Sequence, residues 1–143
     1  MSRESIYAAL FTLLQGMKTA GKVKVCDRRV RFLEEMGAAE LPALFMAVSH
    51  QQTAQQPGLP AKRSLQAKLY LYAANPDRHR PAGIILNGLL DGVEALLAPP
   101  PGSDFLTLGG LVRHAWIEGP IEVFEGPQGE RAAAVLTVSM LLP

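Results

Sequence analysis

From Arg63 to Ala74 the side chains alternate: Leu65, Ala67, Leu69, Leu71 and Ala73 share one face, and Ser64, Gln66, Lys68, Tyr70 and Tyr72 share the other. A period of two over this length is a half-buried strand, and its apolar face has to be covered. Residues 82–98 supply a cover. Ile85, Leu86, Leu89, Leu90, Val93, Leu96 and Leu97 recur at helical spacing, with Asn87, Asp91 and Glu94 opposite, which predicts an amphipathic helix. A strand of one period beside a helix of the other implies a sheet with helices on one face.

The remaining segments extend this plan. Residues 2–17 read as a helix with Ser2 as N-cap, a stripe of Ile6, Leu10, Leu13, Leu14 and Met17, and Tyr7 and Phe11 widening it. Val23 and Val25 alternate with Lys22 and Lys24 in a short strand ending near Cys26. Residues 43–52 form a strand predicted to pair with 63–74 as a hairpin. The stretch between them, Thr53 to Lys62, is polar with two prolines and reads as a long mobile loop. After the second helix, three prolines and Gly102 stop the chain before a strand at 111–117. Gly119-Pro120 then reads as a bulge or bend before 121–124, and the Gly126–Gly129 turn returns the chain into a strand over 132–142 whose apolar residues on both faces make it central or doubly covered. The class is α+β, a largely antiparallel sheet with two main helices packed on one face.

At 143 residues the length predicts a single domain spanning 1–143. A formal charge of +1 gives no global field to hold a polyanion or a membrane surface, so any such contact has to be local. Cys26 is the one cysteine, so no disulfide forms within the chain. The start, Met1-Ser-Arg-Glu-Ser, resembles neither a signal peptide nor a membrane span, and the chain is expected to be cytoplasmic at synthesis.

Chemistry-bearing residues are scattered. His50, His79 and His114 lie in separate segments without a second ligand at metal-site spacing, and no nucleophile, base or glycine-rich phosphate loop is assembled. The expectation is a protein that is not an enzyme and uses no cofactor or metal. Cys26 beside Asp27, Arg28 and Arg29 reads as an inert strand-end thiol rather than an activated one, and Gly109-Gly110 as a tight lead-in to the next strand. His114 and Trp116 share a strand face as a half-buried aromatic beside a surface histidine, or as a stacked pair at a subunit contact.

Two features point outward. Lys18, Lys22, Lys24, Arg28, Arg29 and Arg31 form the one concentration of charge, with Glu34, Glu35 and Glu40 close behind to pair with it. Tyr70 and Tyr72, on the strand face with no predicted cover, read as subunit-interface residues, where tyrosine is enriched.

The segments IYAALFTLLQG, LPALFMAV, LQAKLYLYAANPD, ILNGLLDGVEALLAP and LGGLVRHAWIEGPIEVFEGPQGERAAAVLTV together resemble, in order and over nearly the whole chain, the tail terminator proteins of siphophages and prophages, the family of minor tail protein U of lambda-like phages. The resemblance implies an α+β subunit of a hexameric ring that caps the tail tube, ends its polymerisation and offers the head-proximal joining surface. The implied partners are further copies of the chain, the tail tube protein and a head–tail connector or neck protein. Genomic DNA would pass through the ring without specific binding, no membrane would be involved, and the place of action would be the virion tail, after assembly in the host cytoplasm. A neck or head-completion role is the alternative, and a small-ligand-binding domain a further one. Lys22, Lys24, Arg28, Arg29, Arg31, Tyr70, Tyr72, His114 and Trp116 are the candidate interface residues.

Overall fold

The computed structural model describes residues 2–77 and 79–143. Two short helices in series, α1 (Arg3–Leu14) and α2 (Gly16–Thr19), lead to strand β1 (Val25–Asp27); two 3-10 turns, Leu33–Glu35 and Ala38–Glu40, precede strands β2 (Ala43–Ala54) and β3 (Lys62–Ala74). Helix α3 (Gly83–Leu96) and strands β4 (His114–Glu125) and β5 (Arg131–Leu141) complete the order. Among the described residues the sheet has five strands in the order β1-β2-β3-β5-β4. It is antiparallel except for β1, which runs parallel to β2 over Val25↔Ala43 to Asp27↔Phe45. The α+β class and the two helical units on the sheet are as the periodicities imply.

The alternation of β3 sets the core. Leu65, Ala67, Leu69, Leu71 and Ala73 are buried with Leu44 and Met46 of β2 and Ala134, Leu136 and Val138 of β5, under Ile6, Leu10 and Leu14 of α1 and Leu86, Leu89 and Val93 of α3. Ser2 caps α1 by accepting the Ser5 N–H at 3.1 Å, as its residue type predicts. The helix is not continuous to Met17: it closes at Leu14 and restarts at Gly16. There α2 crosses α3 closely, because a side chain on Gly92 would meet the Met17 sulfur and methyl at 3.1 Å. Helix α3 has no side-chain cap of its own. Instead Glu125 reaches from the end of β4 and accepts the Gly83 N–H at 3.1 Å. A carboxylate at a helix N-terminus is favoured by the orphan amides and the helix dipole, and glycine at 83 leaves room for it.

The second sheet face corrects one expectation directly. Tyr72 is not outward but 6% exposed, in a separate cluster with Met36, Leu41, Ala43 and Phe45. Its ring packs at 5.6 Å from that of Phe45, and its hydroxyl donates to the Arg31 carbonyl at 2.8 Å. The cover is the segment from Val30 to Leu41, which the Arg131 guanidinium ties down by donating to the carbonyls of Leu33 at 2.8 Å and Met36 at 2.9 Å. Tyr70 is half-buried at the margin of the same cluster. The pattern of β3 divides its residues into two faces correctly, but this end of the second face is core.

Smaller differences concern boundaries. β2 and β3 pair through Thr53↔Arg63 and Ala54↔Lys62, so Thr53, Ala54 and Lys62 of the expected Thr53–Lys62 loop belong to the hairpin's strands. Only residues 55–61 connect its strands, with the Leu59 N–H donating to the Gln56 carbonyl at 3.0 Å. Val23 is buried ahead of β1 rather than within it. Leu111 to Arg113 precede β4 in a turn closed by Gly110 and Val112 N–H bonds to the Thr107 carbonyl, both 3.1 Å. The Gly119-Pro120 interruption is a register shift between Glu118 and Glu122 within one strand, with Gly119 at φ 75°, a left-handed conformation glycine adopts without strain.

Candidate subunit interface

The basic cluster sits beside β1, at one end of the sheet, and part of it is used within the chain. Arg28 pairs with Glu4 at 2.5 Å and Arg31 with Glu40 at 2.7 Å, the latter through both guanidinium nitrogens. Each pair lowers the carboxyl pKa below its ordinary 4.5, through the arginine hydrogen bond first; for Glu40 the Gly37 N–H adds to it. Both carboxylates therefore favour the fold above the ordinary carboxylate pKa, and that contribution is lost as pH falls through the lowered folded values. Arg31 thus holds the cover over Tyr72. Lys18, Lys22, Lys24 and Arg29 remain exposed and make no ion pair among the described residues.

Strand β4 forms the opposite edge of the sheet and pairs only inward, with β5. Its sequence HAWIEGPIEVFE carries three glutamates and no lysine or arginine. Glu118 accepts the Ser139 hydroxyl, itself bonded by the Gln66 amide at 3.1 Å, and Glu125 caps α3. The Glu122 backbone pairs with Val135 of β5, but its carboxylate makes no hydrogen bond or ion pair among the described residues. Beside it Val123 is 56% and Phe124 64% exposed. An unpaired strand edge with two uncovered apolar side chains is a template for association. The sequence showed these residues as an ordinary strand, because alternation says nothing about which strand of a sheet lies outermost.

At the start of β4 the His114 and Trp116 rings stack at 5.3 Å with 17° between planes, and Phe105 meets His114 edge-on at 5.4 Å. The Leu106 N–H donates to His114 Nδ1 at 3.1 Å, so Nδ1 is the acceptor nitrogen and the proton of the neutral ring sits on Nε2. This row, with Arg113 and Leu141, borders an open groove that continues as a concavity of about 500 Å³ lined by Leu59, Pro60, Arg113, Leu141 and Leu142. The hairpin arm and the aromatic row therefore share one end of the sheet. Tyr70, Tyr72 and the basic cluster lie elsewhere, so the candidate residues fall into separate regions rather than one site.

Burial pushes the Cys26 thiol up from 9.0 to about 11, outweighing the nearby Lys18 charge. The thiol stays protonated at neutral pH and is a poor nucleophile. Because the unfolded thiol ionises first, this group disfavours the folded state as pH rises from 9. Among the described residues no three His, Cys, Asp or Glu side chains gather as a metal site, and no helix is long and apolar enough to cross a membrane.

No protein-family model matches the chain, and no curated protein matches it in sequence. A solved structure 16% identical to it superposes with a TM-score of 0.58, covering 100% of this chain and 96% of its own. The fold is therefore shared by another protein along its whole length. At this identity the likeness shows architecture alone.

Proposed function

We propose that this chain is a ring-forming tail terminator, a structural subunit that caps a phage tail tube, ends its polymerisation and presents the surface to which the head is joined. The sequence resemblance motivates the reading, and one observation carries it. The sheet ends in two unlike edges, a basic one at β1 and an acidic, partly apolar one at β4. A closed ring needs two different complementary surfaces on every subunit, whereas a two-fold dimer needs one surface that complements itself. Further copies of the chain, a tail tube protein and a head-side connector are the partners this reading requires, and DNA passes through the opening without a dedicated clamp. The engagement of Arg28 and Arg31 by Glu4 and Glu40 supports that last point, because fewer free cations weaken phosphate binding by counterion release.

Negative-stain images of the purified protein test the ring. The expected particles are closed, of uniform copy number, with a central opening wide enough for a DNA duplex. A population of monomers or two-fold dimers at every concentration would contradict the proposal.

A further inference from the structure

We infer that the β4 edge from Glu122 to Phe124 docks on the basic β1 corner, Lys22, Lys24 and Arg29, of a second copy of this chain. The inference rests on the ring reading and adds which two surfaces meet. The two edges cannot meet within one copy: five strands at a spacing of about 4.8 Å separate them by roughly 19 Å. Glu122 is exposed, its carboxylate makes no hydrogen bond among the described residues, and Val123 and Phe124 stand uncovered beside it. Across the sheet Lys22, Lys24 and Arg29 are exposed and without an ion pair among the described residues. Strand β1 covers β2 only from Ala43 to Phe45, so the outer edge of β2 beyond Phe45 is open. There Val48 is 49% exposed, a further apolar residue on the same outer edge, six residues along β2 from Pro42, whose carbonyl accepts the Lys24 N–H. Opposite charge fixes the register and direction of such a contact, and Val123 and Phe124 supply the apolar area that it buries. Glu118 and Glu125 are committed inside the chain, which leaves Glu122 as the carboxylate free to change partners.

A charge exchange tests this, read by sedimentation of the parent, Glu122→Lys, Lys24→Glu and an equimolar mixture of the two variants. The parent is expected to assemble, and each single variant to need about tenfold or more protein to assemble, because like charges then face each other across every contact. The mixture should regain the parental assembly, since the lysine introduced at 122 in one variant meets the glutamate introduced at 24 in the other. Rescue also proves that both variants are folded. Glu122→Gln should weaken assembly in the same direction by a smaller factor. Parental assembly of both single variants, or loss in both without recovery on mixing, overturns the assignment of these surfaces while leaving the ring standing. A parent that is monomeric at every concentration overturns both.

Discussion

Tyr72→Ala lowers the stability of the folded chain by about 3–5 kcal/mol, the range for deleting a buried aromatic ring, visible as a large drop in the urea midpoint. The ring fills the space between Phe45, Met36 and Leu41, and the helices on the far side of the sheet cannot close over the hole. The loss also removes the anchor for the Arg31 carbonyl, so the cover from Val30 to Leu41 loosens. Tyr72→Phe isolates that second effect and costs about 1 kcal/mol, the usual worth of one hydrogen bond. Tyr70→Ala costs less than Tyr72→Ala, since Tyr70 is half-buried at the margin. If Tyr72→Ala left the urea midpoint unchanged, the second face would be open and the cover wrongly placed.

Leu69→Ala is the other severe change, at about 2–5 kcal/mol. Leu69 sits in the row Met46↔Leu69↔Leu136 across the three middle strands, each of the three no more than 1% exposed. Hydrogen-bonded neighbours on both sides hold the backbone, so the cavity cannot collapse and its lining loses dispersion contacts. Lys68→Ala, one residue away on the other face, stays within about 0.5 kcal/mol of the parent. Thermal unfolding of the two variants side by side measures the contrast. Equal midpoints would mean that the alternation of β3 does not decide which face carries the main core.

The contrast between these residues shows what could be read in advance and what could not. The period-two pattern of β3 and the helical stripe of α3 are local, and they specified the sheet, the helix and the face between them. Whether Tyr72 is covered is not local. Its cover is the segment from Val30 to Leu41, built around two 3-10 turns, whose apolar residues Val30, Leu33, Met36 and Leu41 follow no sheet or helix period. It is held by Arg131, about a hundred residues on. The charges behave the same way: the cluster around Arg28 was visible, but its pairing with Glu4 required the fold to bring α1 beside β1. Glu125 on the N-terminus of α3 and the Gln66–Ser139–Glu118 chain across three strands carried no sequence motif. The exposure of Val123 and Phe124 depends on strand order, which spacing along the chain does not determine. What was legible was the type of the main helices and strands; which surfaces stay unpartnered emerged only from their arrangement in space.

The central claim is that this chain ends the growth of a tail tube. The most direct measurement adds the purified protein to tail-tube subunits that are polymerising and follows tube length and tube ends by electron microscopy. The account predicts that elongation stops and that a ring of this protein closes one end of each tube. Tubes that continue to lengthen at the unchanged rate, with bare ends and the protein free in solution, would contradict it; rings bound only to a head-side connector would assign the chain to the neck instead.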